Sequence, residues 1–94
     1  MIIFDIEADN LLDSVTQVHC MVTQDTKTGK VMKYDPTQLD VALDVLDTAE
    51  VIGGHNIITY DLPVLEKLYG WKPKAKVFDT LVATRLIWSS TGRS

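Results

Sequence analysis

The stretch Met1-Ile2-Ile3-Phe4-Asp5-Ile6-Glu7-Ala8 decides the fold, because it alternates side chains with the period of a β-strand. The face that would point into a core carries Ile2, Phe4, Ile6 and Ala8. Asp5 and Glu7 share the other face, about 6–7 Å apart along the strand. Two acids this close repel each other unless a cation lies between them, and an all-oxygen pair suits Mg²⁺ or Mn²⁺ better than zinc. The alternative is an amphipathic strand whose acids only face solvent.

A second pattern lies in the middle of the chain. Val51-Ile52-Gly53-Gly54 predicts a short buried strand that stops at its glycines. Leu62, Leu65, Leu68 and Tyr69 then recur at helical spacing, which places Asp61 at the start of a helix. Asp61 is either a simple helix cap or a third oxygen ligand that faces the pair on the first strand.

The remaining patterns predict a mixed α/β fold. Residues 18–22 and 30–34 form a strand pair, which makes an antiparallel meander with the first strand. Asp35 and Gln38 have the spacing of a capping box, and they open a helix that leads to the strand at residues 51–54. After the helix that begins at Asp61, we expect a strand at residues 76–78 and a helix at residues 79–88. The predicted order is three strands followed by helix, strand, helix, strand and helix.

These motifs resemble those of a known family. The order Asp-x-Glu on the first strand, then Asn56-x-x-x-Tyr60-Asp61, is similar to the first two motifs of the DEDD superfamily of 3′–5′ proofreading exonucleases. More narrowly, DIEADNLLDSV, VHC, HN followed by YDLPVLEKL, and FDTLVATRLIW resemble the amino-terminal exonuclease domain of family A DNA polymerases from short-tailed bacteriophages. The similarity covers residues 1–88, and it implies a ribonuclease H-like fold with the first strand beside the Val51 strand.

The resemblance also implies roles for individual residues. Asp5, Glu7 and Asp61 would be the catalytic acids and would bind two Mg²⁺ or Mn²⁺ ions. Three further residues would line the path of the substrate: Leu11, Asn56 and Tyr60. The implied reaction is two-metal hydrolysis of the 3′-terminal phosphodiester of single-stranded DNA, which releases 5′-mononucleotides.

One departure from the family changes what is expected of this chain. The family has a third motif, a Tyr or His four residues before an Asp, and the sequence to Ser94 contains none. Asp79 is the remaining late acid, and its position predicts a helix cap. We therefore expect the front half of an exonuclease domain at residues 1–88, followed by a flexible or foreign tail at 89–94. Two alternatives remain open: an inactive binding or interaction module, and one half of a split enzyme.

Composition agrees with a small globular protein. The 94 residues are 46% hydrophobic, with no apolar run long enough for a membrane span. One cysteine fits a reducing cytoplasm. The resemblance to phage polymerases implies that this is the cytoplasm of an infected bacterial cell. The net charge of −4 predicts weak independent affinity for DNA. A polymerase domain or a complementary fragment would then have to deliver the strand end.

Overall fold

The computed structural model describes residues 1–82 and 86–87. In this part of the chain a single mixed sheet has the strand order β3-β2-β1-β4-β5-β6. Its strands are β1 (Ile2–Ala8), β2 (Val18–Asp25), β3 (Val31–Tyr34), β4 (Val51–Gly54), β5 (Lys76–Asp79) and β6 (Leu86–Ile87). The two α-helices are α1 (Leu39–Asp47) and α2 (Leu62–Tyr69). The predicted combination of a mixed sheet with helices is therefore confirmed.

The predicted meander is also confirmed. Strand β1 pairs antiparallel with β2, which pairs antiparallel with β3. On its other side β1 runs parallel to β4, with Ile2 opposite Ile52 and Ile3 opposite Gly53. Strand β4 in turn runs parallel to β5. The carboxyl ends of β1, β4 and β5 therefore lie at the same edge of the sheet.

The connection from β3 to α1 forms as the capping-box spacing predicts. The Asp35 Oδ1 atom accepts the Thr37 N–H at 2.9 Å, and the Gln38 Oε1 atom accepts the Asp35 N–H at 3.1 Å. These bonds satisfy backbone donors that have no partner inside the helix. The capped segment is a 3₁₀ turn, Pro36–Gln38, which leads directly into α1.

Both helices pack into one core on one face of the sheet. The largest buried side chains of that core are Phe4, Met21, Leu46, Ile52, Ile57 and Leu65. The other face presents Ile3, Asp5 and Glu7 to solvent, as the alternation in β1 predicts. Neither helix in the described part of the chain has the length and apolarity needed to cross a membrane.

The junction between β4 and α2 differs from the simple strand-to-helix connection that the pattern predicts. Asn56 has a left-handed backbone with φ 61°, and a π-helical turn follows at Ile57–Asp61 before α2 begins. Such turns are rare and occur often at functional sites. Tyr69, which shares the predicted helical spacing with the leucines of α2, is the last residue of that helix and is 41% exposed.

The predicted helix at residues 79–88 is wrong. A 3₁₀ turn occupies Thr80–Val82, and Leu86–Ile87 form β6, which pairs antiparallel with β5. A short apolar run fits a strand as well as a helix, and the edge of β5 offers backbone groups for it to bond. The end of the predicted helix and the predicted tail at 89–94 lie outside the described residues.

Candidate active site

The sequence-predicted acids lie on elements that meet at the shared edge of β1, β4 and β5. Asp5 is the central residue of β1, Glu7 lies near its carboxyl end, and Asp61 ends the π-helical turn that follows β4. Sites in sheets with parallel strands commonly form at the carboxyl ends of those strands. The candidate site therefore occupies a position that the topology favours.

Asp61 is held against the backbone of β1. Its side chain is buried, with 3% exposed, and its Oδ2 atom accepts the N–H of Ile6 at 3.1 Å. Ile6 lies between Asp5 and Glu7, so the third acid meets the strand between the first two. Asp61 makes no capping hydrogen bond to α2. The structure thus does not support the simple capping role that was the alternative for this residue.

The Ile6 N–H is available because β4 ends early. The carbonyl of Phe4 and the N–H of Ile6 face the same side of β1, toward β4. Strand β4 stops at Gly54, where a Cβ atom would lie only 2.7 Å from the Phe4 oxygen. The chain then turns away, and the carboxylate of Asp61 takes the place of the next strand residue as the acceptor for Ile6.

The surroundings of Asp61 disfavour its negative charge. The pKa of Asp61 is raised to about 7, mainly by burial; the nearby charges of Asp5 and Asp79 act in the same direction, and the hydrogen bond from Ile6 acts in the opposite one. A carboxyl group in this position is ionised more readily when a cation offsets the surrounding negative charge.

Asp5 and Glu7 are both exposed on the open face of the sheet. A register shift between Glu7 and Ala8, where the partner in β2 jumps from Cys20 to Val18, marks a bulge at this end of β1. Bulges of this kind often redirect side chains beside active sites. In the described residues, no group of three or more His, Cys, Asp and Glu side chains is already arranged around one ion position.

Tyr60 connects the junction to the loop after β1. Its Oη atom donates to the carbonyl of Asn10 at 2.6 Å. Burial raises the pKa of the Tyr60 hydroxyl, and the negative charges of Asp61, Asp9 and Glu7 add to that effect. The phenol therefore stays a hydrogen-bond donor next to the predicted acids.

Leu11 lies at the exposed tip of that loop, with 76% of its surface accessible. Asp9 closes the loop, because its Oδ1 atom accepts the N–H groups of Thr16 and Gln17 at 2.9 and 3.1 Å. Bonds from the side chain and backbone of Thr16 lower the pKa of Asp9 to about 2. Lys67 of α2 also holds this loop, because its Nζ atom donates to the Leu12 and Asp13 carbonyls. The loop is thus fixed while Leu11 stays accessible.

Asn56, the remaining predicted site residue, has a structural role at the junction. Its left-handed backbone is one that asparagine tolerates better than most residues. Its side-chain oxygen accepts the hydroxyl of Thr59, and its backbone N–H donates to Asp79. The side chain is partly buried, and its contacts are within the junction.

The sequence did not indicate that Asp79 belongs to the candidate site. The prediction of a helix cap is confirmed in a limited sense, since Asp79 accepts the Leu81 N–H at 2.8 Å. The same carboxylate also accepts the N–H groups of Asn56 and Ile58, both at 2.8 Å. No local pattern encodes these two bonds, because the partners are more than twenty residues away.

The chain is similar in sequence to DNA-directed DNA polymerases of bacteriophages. It is 40% identical to the DNA-directed DNA polymerase of Escherichia phage T7 over an alignment of 101 positions, and 39% identical to that of Enterobacteria phage T3. Each alignment covers 96% of this chain but 14% of the relative. The chain therefore spans about one seventh of the length of these enzymes. No protein-family profile matches it.

Proposed function

We propose that this chain forms part of a 3′–5′ exonuclease site of a phage DNA polymerase. The reaction is hydrolysis of the 3′-terminal phosphodiester of single-stranded DNA, which releases 5′-mononucleotides. The observation that carries the proposal is the bond from Ile6 to Asp61, which places the third acid on β1 between Asp5 and Glu7. The similarity to phage DNA polymerases supports the same assignment.

The proposal includes a ribonuclease H-like fold for the chain. It is supported by the antiparallel β1–β3 meander, the parallel pairing of β1 with β4, and the parallel pairing of β4 with β5. This arrangement explains why acids separated by more than fifty residues approach each other at one edge of the sheet.

In the proposed site, Asp5, Glu7 and Asp61 hold two divalent cations, Mg²⁺ or Mn²⁺. Three carboxylates are a suitable donor set for such hard ions. Burial, together with the nearby charges of Asp5 and Asp79, raises the pKa of Asp61 to about 7, and a bound cation would favour the ionised form of this group. Bound divalent ions would activate water and compensate the charge that develops on the leaving 3′ oxygen. The contribution of the chain is to fix the acids, with Asp61 anchored by Ile6.

The substrate would approach from the loop side of the site. Leu11, exposed at the loop tip, would contact the terminal base, and Tyr60 would line the path beside the acids with its hydroxyl bonded to the Asn10 carbonyl. Asn56 would contribute by maintaining the junction. Because the net charge is −4, we expect weak DNA affinity for this chain alone, with a polymerase domain or a complementary fragment delivering the strand end.

A second candidate is a module that binds metal or DNA without cleaving it. In these 94 residues no Tyr or His is followed four positions later by Asp, so this part of the sequence does not supply the family's third motif. A separate polypeptide that supplies this motif would make the chain one half of a split enzyme.

The proposal is tested by measuring Mn²⁺ binding by calorimetry and degradation of 3′-labelled single-stranded DNA with Mg²⁺ or Mn²⁺. The test variant is Asp5→Ala/Glu7→Ala. The matched control is Asp40→Ala/Asp44→Ala, which removes two exposed acids from α1 and thus the same charge.

We expect the wild type and the control to bind Mn²⁺ and the test variant to lose binding. Degradation that disappears in the test variant supports the enzyme. If the wild type binds Mn²⁺ but does not degrade DNA, the result supports the module. If degradation then occurs on adding a chain that contains the third motif, the result supports the split enzyme. A wild type that neither binds Mn²⁺ nor degrades DNA contradicts the proposed function.

A further inference from the structure

The β4–α2 junction, residues 54–61, carries Asp61 and has an unusual backbone. It begins with Gly54, which lies in close contact with β1. It then passes through Asn56, which has a left-handed backbone, and continues as a π-helical turn. Isolated conformations of this kind are unfavourable, and they persist where the surrounding structure holds them. Some part of the surrounding structure must therefore hold the backbone of this junction.

Asp79 contacts the junction through two backbone N–H groups, and the neighbouring Thr80 hydroxyl contacts it at His55 Nδ1 and at the Gly54 carbonyl. Asp79 lies at the end of β5 and is 1% exposed, so its carboxylate is removed from solvent. One oxygen accepts the N–H of Asn56 and the other accepts the N–H of Ile58, each at 2.8 Å. These two donors flank the first residue of the π-helical turn. A single rigid carboxylate therefore fixes the backbone on both sides of the point where the turn begins.

The bonds around Asp79 also keep it charged. Burial raises its pKa, but the N–H bonds from Ile58, Leu81 and Asn56, together with nearby His55, outweigh that effect and hold the pKa below its usual value. Hydrogen bonds to an ionised acceptor are stronger than those between neutral groups. Loss of the charge or of one oxygen therefore weakens the whole attachment.

We propose that Asp79 is a positioning residue that sets the location of the Asp61 carboxyl group through the backbone of the β4–α2 junction. Asp79 fixes Asn56 and Ile58, and the turn that follows places Asp61 on the N–H of Ile6. The consequence for metal binding rests on the proposed function, whereas the consequence for the bond between Asp61 and Ile6 does not.

The test compares Asp79→Asn with Asp35→Asn. The amide of the first variant retains one acceptor oxygen but places an N–H₂ group against a backbone N–H of the junction. Asp35→Asn alters a carboxylate that also accepts backbone N–H bonds, at the start of α1 next to the opposite edge of the sheet. The first readout is hydrogen exchange at the Ile6 amide, with amides of the β1–β2 ladder as an internal reference. The second is Mn²⁺ affinity of the folded protein, measured by calorimetry.

In Asp79→Asn we expect Ile6 exchange to accelerate by about tenfold or more relative to the reference amides, the size expected when a buried bond to a charged group is lost. Mn²⁺ affinity should fall by about tenfold or more, as when a group that orients a metal ligand is removed. Asp35→Asn should change neither quantity. Unchanged Ile6 exchange in Asp79→Asn overturns the inference.

The two proposals fail in different ways. A wild type that does not bind Mn²⁺ contradicts the proposed function and leaves Ile6 exchange to decide the role of Asp79. If Asp79→Asn does not fold, Asp79→Glu takes its place, because the extra methylene displaces the oxygens from the junction. A folded Asp79→Glu variant with wild-type Ile6 exchange also overturns the inference.

Discussion

The β4–α2 junction and the loop after β1 are fixed by the same kind of hydrogen bonding, in the protein interior in one case and at the surface in the other. In each, one aspartate accepts several backbone N–H groups: Asp79 at the junction and Asp9 in the loop. Asp79 is buried with 1% of its surface exposed, whereas Asp9 lies in solvent. The junction is thus fixed from inside the protein, while the loop is fixed at the surface and presents Leu11. The two regions therefore differ in role. The buried junction fixes the position of Asp61, whereas the exposed loop would contact the end of a DNA strand.

The largest expected effect concerns the charge of Asp61, which the junction places in a buried position. Its pKa of about 7 in the folded protein is above the ordinary 3.8. Protonation of Asp61 therefore contributes fully to the unfolding free energy below pH 4, and this contribution is lost as the pH rises toward 7. Without metal, the unfolding free energy of Asp61→Asn minus that of wild type should increase over this range. The upper bound is about 4 kcal/mol, since one pKa unit is equivalent to about 1.4 kcal/mol.

This prediction is checked by urea denaturation of both proteins at pH 4, 5.5, 7 and 8. Added Mn²⁺ should stabilise wild type at pH 8 more than Asp61→Asn, because the ion selects the ionised carboxyl group. A difference between the two proteins that does not vary with pH would mean that Asp61 titrates normally.

The next effect concerns the close approach of the junction to β1. In Gly54→Ala the new methyl group would lie 2.6 Å from Ile57 Cγ2 and 2.7 Å from the Phe4 oxygen. Because one of these contacts is backbone, β4 and β1 must separate, at a loss of about 1–3 kcal/mol. Thermal unfolding and amide exchange at Ile6 measure this loss.

Gly53→Ala is the matched control for that prediction, since it adds the same methyl group to the same strand. Its nearest neighbours are Met1 Sδ at 3.1 Å, which belongs to a flexible side chain, and the Phe78 oxygen at 3.2 Å. We expect a smaller loss of stability. Equal losses in the two variants would show that the approach of Gly54 to β1 has no special role.

A smaller effect is expected where the junction and the loop touch. Tyr60→Phe removes the bond from Oη to the Asn10 carbonyl, and it should lower the unfolding free energy by about 1 kcal/mol. Amide exchange should accelerate in residues 10–14 and remain unchanged at Ile58. Tyr69→Phe, at an exposed position, serves as the control. Faster exchange at Ile58 in Tyr60→Phe would show that the two regions are not independent.

The smallest effect concerns the loop alone. An NMR titration should show the Asp9 carboxyl group with a midpoint near 2, because the bonds from Thr16 and Gln17 favour its charged form. The associated stability is present above the ordinary pKa of 3.8 and is lost as the pH falls toward 2. Thr16→Val removes the hydroxyl donor and should move the midpoint upward. An unchanged midpoint would contradict the assigned hydrogen bonds.

Local patterns predicted much of this molecule. The alternation in β1 identified which residues face the core, and the spacing of Asp35 and Gln38 identified a capping box that the structure contains. Both features depend on residues within a few positions of each other, so short segments encode them. The neighbouring position of β1 and β4 came from the family resemblance, because pairing between distant strands has no local signal.

The missed features depend on contacts across the chain. Asp79 looks like an ordinary cap in the sequence, and its bonds to Asn56 and Ile58 exist only after β4 and β5 pair. The predicted helix at residues 79–88 was wrong for a related reason, since pairing with β5 decides the conformation of Leu86–Ile87. The metal-binding roles of Asp5, Glu7 and Asp61 remain predictions.

The π-helical turn at Ile57–Asp61 has a consequence for how this protein tolerates insertions and deletions. A π-turn contains one residue more than the corresponding α-helical stretch, and each residue rotates an α-helix by about 100°. Removing a single residue between Ile57 and Tyr60 would therefore leave an ordinary α-helical turn between the same two ends, so the carboxyl group of Asp61 would keep its direction toward β1. Inserting a residue there would instead rotate that group by about 100° around the helix axis, so this segment tolerates a deletion better than an insertion.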